Sequence, residues 1–151
     1  MFKLSKRSLD RLDGVDERLA AVVAAAIHIS RVDFGVICGM RTLEEQRELV
    51  EKGASQTMKS KHLSGHAVDL MAYCGSRASW ELNLYDDIAD AVAEAAREVD
   101  VPIVWGAAWT VPNIAQYSEG TMEDAMNSYI DVRRSQGRRP FIDGPHFELV
   151  V

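Results

Sequence analysis

The sequence predicts an α+β domain. Segments with apolar residues at three- and four-residue steps, which are typical of helices, lie among short segments with the apolar pattern of strands. The two kinds of segment do not alternate regularly, as they would in a doubly wound parallel sheet. With 151 residues, of which 47% are hydrophobic, the chain has the length and composition of one globular domain.

Four helices are predicted from apolar periodicity and capping residues. Thr42 and Glu45 form a capping box before the second helix, and Gly53 follows that helix as a C-cap. Gly14 weakens the first turn of the first helix. The predicted helices cover residues 12–29, 43–52, 84–99 and 122–136.

Four strands are predicted, and two of them carry polar residues. The strands cover residues 32–38, 66–72, 102–105 and 146–150, and residues 54–65 are expected to form a loop. Side chains alternate between the two faces of a strand. Asp69 is therefore predicted to point away from His66, whereas His146 and Glu148 are predicted to share one face.

Charge and hydropathy exclude several classes of protein. The chain has 17 basic and 23 acidic residues, a net charge of −6, which does not favour binding to nucleic acid. Its longest apolar run, residues 19–29, is shorter than the roughly 20 residues that span a bilayer. The N-terminus lacks the pattern of a secretory signal, so we expect synthesis and retention in the cytoplasm, with Cys38 and Cys74 as free thiols.

Two segments concentrate the residues that could support chemistry. The first contains His62 and Asp69, separated by a turn at Gly65 that allows them to converge. The second contains Asp143 and His146 around a Gly-Pro turn. A hydrolytic zinc site needs three nitrogen or oxygen ligands and a carboxylate beside the activated water. His62, Asp69 and His146 would supply the ligands and Asp143 the carboxylate.

These segments resemble a known family, the zinc D,D-carboxypeptidase-type peptidases. The resemblance is greatest to the L-alanyl-D-glutamate endopeptidase branch, which includes lysis enzymes (endolysins) of bacteriophages. Upstream, the stretch from Gly39 to Gln46 and the turn at residues 53–55 also match. The motifs that carry the resemblance are Ser60-x-His62-x-x-Gly65-x-Ala67-x-Asp69 and Asp143-x-x-His146-Phe147-Glu148.

The resemblance implies roles for seven residues. It implies one zinc ion per chain with the ligands His62, Asp69 and His146, and Asp143 as the catalytic base. It also implies that Arg41 holds a substrate carboxylate or the oxyanion, and that Gln46 and Ser60 orient the substrate. An aspartate at position 143, where the D,D-dipeptidase branch carries glutamate, favours the endopeptidase branch.

The implied fold is a small antiparallel sheet flanked by helices that carries the zinc cleft, as in D,D-peptidases and the related Hedgehog domain. The implied function is zinc-dependent cleavage of the L-Ala–D-Glu bond in the peptidoglycan stem peptide during host lysis. The enzyme would wait in the host cytoplasm, without inserting into the membrane, until a holin gives access to the periplasm and cell wall. We expect a monomer with one catalytic domain over residues 1–151 and no separate wall-binding domain.

Several alternatives remain open at the level of sequence. The protein could instead be a D-Ala–D-Ala carboxypeptidase or dipeptidase, or a non-catalytic zinc-binding module of the same fold. Glu148 is a rival for the role of base, and His66 is expected to be structural. Two departures from the family pattern are expected near the cleft: alanines at positions 107 and 108, and the extra helix at 122–136.

Overall fold

The structure is a computed structural model that describes residues 1–151 and has an α+β fold, as predicted. Two short 3₁₀ turns, Lys61–Ser64 and Ile114–Gln116, lie between the regular elements. The α-helices are α1 (Lys6–Arg11), α2 (Glu17–Ile29), α3 (Leu43–Glu51), α4 (Leu82–Val99) and α5 (Met122–Ser135). The strands are β1 (Asp33–Cys38), β2 (Ala67–Cys74), β3 (Arg77–Ser79), β4 (Ile103–Trp105) and β5 (His146–Leu149).

All strand pairs are antiparallel. The main order is β1-β2-β5-β4, and the short strand β3 forms a hairpin with β2. The pairing of β2 with β5 joins segments far apart in the chain, and its register places Asp69 opposite His146. None of the helices is both long and apolar enough to cross a membrane.

One face of the sheet packs into the hydrophobic core. Val68 and Leu70 of β2, together with Phe147 and Leu149 of β5, have no solvent exposure. They belong to a single core that also contains the apolar side chains of α2 and α4. Because side chains alternate along a strand, the residues between them face the opposite side of the sheet. This second face carries the polar groups.

Most predicted elements are confirmed, but the first helix begins later than predicted. Gly14 has a positive φ of 85°, which breaks the predicted helix 12–29. A new helix, α2, then starts at Glu17, where Asp16 Oδ1 accepts a hydrogen bond from the backbone N–H of Arg18. The predicted capping box of α3 is present, with Thr42 and Glu45 as its two partners.

Helix α1, strand β3 and the 3₁₀ turns are not among the elements that the sequence predicts. Helix α1 covers the free edge of β1, where Ser8 Oγ accepts a hydrogen bond from Val36 N at 3.0 Å. Arg11 Nη1 donates to Val36 O, also at 3.0 Å. A six-residue helix is too short to show clear periodicity, and these long-range contacts stabilise it. It protects an edge that would otherwise be free to pair with another strand.

The extra helix α5 packs against α4 and influences the segment that follows it. Met122, the first residue of α5, donates its backbone N–H to Asp90 Oδ1 of α4 at 2.8 Å. Tyr129 accepts a hydrogen bond at its hydroxyl from the N–H of Phe141, at 3.0 Å. Phe141 lies two residues before Asp143, so α5 helps to anchor the segment that carries this carboxylate.

Candidate metal centre and catalytic cleft

The polar face of β2 and β5 forms part of a cleft of about 690 Å³. The cleft contains six of the seven residues implicated by the sequence; the seventh, Gln46, is buried behind it. Glu148, the rival base, also lines the cleft. The six residues are Arg41, Ser60, His62, Asp69, Asp143 and His146.

Asp69 joins the two predicted histidine ligands. Its Oδ2 lies 3.3 Å from His62 Nε2, and its Oδ1 lies 3.2 Å from His146 Nδ1. The two imidazole rings meet edge to face, with 5.4 Å between their centroids. All three side chains are largely buried. The cluster therefore brings together two imidazoles and one carboxylate, although they are far apart in the sequence.

Different parts of the fold deliver the three side chains. The register of β2 and β5 aligns Asp69 with His146. His62 lies in the 3₁₀ turn before β2, which ends at Gly65 with a φ of +75°. A Cβ atom at position 65 would lie only 2.4 Å from the carbonyl oxygen of Gly14, so a glycine is needed for both conformation and space.

Hydrogen bonds leave one nitrogen of each ring facing Asp69. His62 Nδ1 lies 2.9 Å from the carbonyl oxygen of Gly39, which can only accept, so Nδ1 carries the proton. In the same way, His146 Nε2 lies 2.9 Å from Glu148 Oε1. A neutral His62 that donates to Gly39 presents Nε2 as an acceptor beside Asp69, and a neutral His146 that donates to Glu148 presents Nδ1 there. This donor set fits Zn²⁺, which binds imidazole nitrogen and carboxylate oxygen.

The protonation of the cluster reflects the competition between burial and pairing. Burial opposes the charged imidazolium, but the hydrogen bond to Asp69 outweighs it and raises the pKa of His62 to about 10. Burial likewise opposes the charged form of His146, but hydrogen bonds to Asp69 and Glu148 outweigh it and raise its pKa to about 9. Burial alone would raise the pKa of Asp69, but hydrogen bonds from both histidines hold it well below its usual value. Without a metal, pairing with Asp69 therefore favours protonation of both imidazole rings.

Asp143 lies beside this cluster on a rigid turn. Its backbone N–H donates to Gly106 O at 2.8 Å, and Trp105 Nε1 donates to Gly144 O at 2.8 Å. Burial and the nearby charge of Asp69 raise the pKa of Asp143. A carboxylate oxygen of Asp143 lies within 4.8 Å of donor atoms of Asp69 and His146.

Arg41 faces the cleft, and Gln46 lies behind it. Gln46, which the resemblance implies orients the substrate, has no solvent exposure, and its side chain contacts other residues of the protein. Its Oε1 accepts a hydrogen bond from Arg41 Nη1 at 2.6 Å. Its Nε2 donates to Ser55 Oγ and to the carbonyl of Thr57, which ties Arg41 to the loop on the cleft wall.

Cys38, predicted from the sequence only as a free thiol, lies beside the cluster. An irregularity in β1 after Val36 pairs Cys38 with Asp69. Its Sγ lies 3.2 Å from Arg41 Nη2 and 3.6 Å from His62 Nδ1. Burial would raise the pKa of this thiol, but the hydrogen bond with His62 lowers it. Cys38, His62 and Asp69 form a second group of possible metal ligands, which shares Asp69 with the group formed by Asp143 and His146.

Two aromatic residues form a wall over His146. The ring of Trp109 lies 5.9 Å from that of His146 and stacks on Phe141 at 6.2 Å. Phe141 is 61% exposed. The remaining histidine of this region, His66, faces Asp16 and Ser64, away from Asp69, as strand alternation predicts.

The fold and the cleft together define a class: an α+β peptidase-type domain with a candidate metal centre on its sheet. The chain belongs to the phage L-alanyl-D-glutamate peptidase family, whose sequence model matches residues 1–150.

Similar proteins support this assignment. The L-alanyl-D-glutamate peptidase of Escherichia phage T5 is 28% identical over 153 residues, which cover 99% of this chain and 98% of that protein. The crystal structure of the Serratia marcescens L-Ala D-Glu endopeptidase ChiX matches with a TM-score of 0.71 and 34% identity, covering 99% of this chain and 90% of ChiX. The L-alanyl-D-glutamate peptidase of Listeria phage A118 is 37% identical over 71 residues, 47% of this chain and 24% of that protein.

Proposed function

We propose that the protein is a zinc-dependent peptidoglycan hydrolase that cleaves the L-Ala–D-Glu bond of the stem peptide. The observation that carries this proposal is the convergence of His62 and His146 on Asp69, with Asp143 beside them, in one cleft. The family and the names of the relatives support the same bond.

His62, Asp69 and His146 would hold one zinc ion per chain. Bound there, zinc would polarise the scissile carbonyl and lower the pKa of a water molecule towards neutrality. Binding requires both imidazoles to be neutral, so it displaces the protons that Asp69 otherwise stabilises on them. Hydrogen bonds donated to Gly39 and Glu148 would leave the required ring nitrogens free for the metal.

Asp143 would act as general base and then as general acid. Its carboxylate takes a proton from the attacking water and passes it to the leaving amine of D-Glu. Burial and the charge of Asp69 raise the pKa of Asp143, which favours its holding the proton between these two steps. The Arg41 guanidinium would balance the developing oxyanion or hold a substrate carboxylate, with Gln46 fixing its orientation. Ser60, which caps the turn of His62 and lines the cleft, would contact the substrate.

Mass spectrometry of peptidoglycan digests tests this proposal. The zinc-loaded protein should produce muropeptides that end in L-Ala and peptides with a new N-terminal D-Glu. A chelator and the variant His62→Ala should each abolish both products. Intact stem peptides in the zinc-loaded reaction would reject the proposal, and release of free D-alanine alone would favour a D,D-carboxypeptidase.

We further propose that the protein acts in host lysis as a monomeric, single-domain phage endolysin that needs a holin to reach the wall. Bacteria that express it should grow normally until chloroform permeabilises the inner membrane, and they should then lyse rapidly. The His62→Ala variant is the control for lysis by chloroform itself. Lysis without permeabilisation would contradict the dependence on a holin.

A further inference from the structure

Glu148 has contacts that the proposed reaction does not use. It lies two residues after His146 on the same face of β5, and its Oε1 is 2.9 Å from His146 Nε2. His146 therefore lies between two carboxylates, because its Nδ1 is 3.2 Å from Asp69 Oδ1. A proton on Nε2 that is donated to Glu148 leaves the lone pair of the neutral ring on Nδ1, on the side of Asp69.

Lys61 holds Glu148 in place. Its Nζ lies 2.8 Å from Glu148 Oε2 and donates to the carbonyl oxygen of Leu149 at 3.0 Å. Lys61 immediately precedes His62 in the 3₁₀ turn. One turn thus supplies His62 directly and also fixes the partner of His146. This partly buried ion pair gives Glu148 a defined orientation that an exposed glutamate would not have.

These contacts separate the role of Glu148 from that of Asp143. Both oxygens of Glu148 are occupied, one by His146 and the other by Lys61. Asp143 has no side-chain hydrogen-bond partner, and burial beside Asp69 shifts its affinity for a proton upwards. Glu148 is therefore poorly placed to accept a proton from water, although it shares a strand face with His146.

We propose that Glu148, held by Lys61, is a positioning residue that fixes His146 in the tautomer whose Nδ1 binds the metal. This inference rests on the proposed function, because it assigns His146 as a zinc ligand. A carboxylate that accepts the second N–H of a ligating histidine fixes the orientation of the ring and increases its basicity as a ligand. Loss of such a partner weakens metal affinity by about 10–100-fold.

Zinc affinity, measured by competition with a chromophoric chelator in the absence of substrate, tests the role of Glu148. Glu148→Ala should bind zinc about 10–100-fold more weakly than the wild type. Glu148→Gln keeps the length and the acceptor oxygen, so its affinity should lie between those of the wild type and Glu148→Ala. Lys61→Met should weaken binding in the same direction but less. Glu94→Gln and Lys52→Met, which change exposed residues outside the cleft, should bind as the wild type does.

The tautomer provides a second readout that a purely structural role of Glu148 would not change. Long-range ¹H–¹⁵N spectra of the zinc-free protein, at a pH at which His146 is neutral, should show the ring proton on Nε2 in the wild type and a larger share of it on Nδ1 in Glu148→Ala. Glu148→Gln replaces Glu148→Ala in these measurements if the alanine variant fails to fold. A protonated Nδ1 in the wild type, or zinc affinities of the folded Glu148 variants within twofold of the wild type, would overturn the inference. If the wild type itself binds no zinc or cleaves no stem peptide, the proposed function fails first.

Discussion

The two faces of strands β2 and β5 differ in what they require of their side chains, although the residues of both faces alternate along the same segments. Leu70 and Phe147 face the core and have no exposure. Their neighbours Asp69 and His146 face the cleft and contact each other across the strands. The core face requires apolar groups of matching volume, whereas the cleft face depends on particular atoms at hydrogen-bond distance.

This contrast shows where stability and chemistry reside. Burial of Leu70 removes apolar surface from water and stabilises the fold. Burial of Asp69 is costly by itself and is offset only by its two histidine partners. A substitution on the core face should therefore change mainly the free energy of unfolding, and one on the cleft face mainly metal binding or turnover.

The largest effect should follow a change on the cleft side that leaves the metal ligands intact. Asp143→Asn removes the proposed base, so kcat should fall by about 10²–10⁴-fold. The free energy of unfolding should be equal to or above that of the wild type, because Asp143 is a carboxylate buried near Asp69. Steady-state kinetics on a stem-peptide substrate, zinc analysis and urea unfolding measure the three quantities. Unchanged kcat would show that another group is the base.

On the core face, Leu70→Ala should lower the free energy of unfolding by about 2–5 kcal/mol, because it leaves a cavity under the sheet. The adjacent Asp69→Asn is the matched variant on the opposite face and should instead impair zinc binding. Urea unfolding and zinc titration of both variants test whether the core face controls stability and the cleft face controls metal binding. This separation of the two faces would be contradicted if folded Leu70→Ala lost its affinity for zinc as Asp69→Asn does.

Gly106 packs against the segment that carries Asp143 and His146, and its substitution should change both stability and turnover. A Cβ atom there would lie 2.3 Å from Asp143 O and 3.0 Å from His146 Cβ, so the backbone that carries the base must move. Gly106→Ala should cost about 1–3 kcal/mol of stability and reduce kcat by roughly 100-fold. Gly137→Ala is the control, because it has a positive φ but no atom within 4 Å and should affect stability alone.

The pH dependence of stability tests the cleft face without a change of sequence. In the metal-free protein the pKa values of His62 and His146, about 10 and about 9, exceed the unfolded value near 6.5. The folded state then binds more protons, so its stability should decrease as the pH rises from about 7 to 10. With zinc bound both rings are neutral, so this decrease should disappear and stability should instead rise between about pH 5 and 7.

Urea unfolding with and without a chelator measures this difference. Asp69→Asn is the control for other groups that titrate in the same range, because it removes the partner that raises both histidine pKa values. Parallel pH profiles of the metal-free wild type and Asp69→Asn would contradict the assigned cause.

Several parts of the fold and site were predictable because local patterns specify them. The capping box of Thr42 and the periodicity of α4 depend on residues within a few turns of each other. Strand alternation likewise separated Asp69 from His66. Helix α1 was missed because its stabilising contacts come from Val36, more than twenty residues away. Cys38 was missed because an irregularity in β1 changes which residue lies opposite Asp69.

The sequence by itself determined the α+β class, most helix and strand positions, and the residue types that could hold a metal, since these follow from local periodicity and motif spacing. Only the tertiary structure decided that Gln46 is buried behind Arg41 and that Glu148 contacts His146 while Asp143 remains free. Those distinctions depend on distances between atoms of different elements. The pairing of β2 with β5 and the close approach at Gly106 set these distances, and no local pattern contains them.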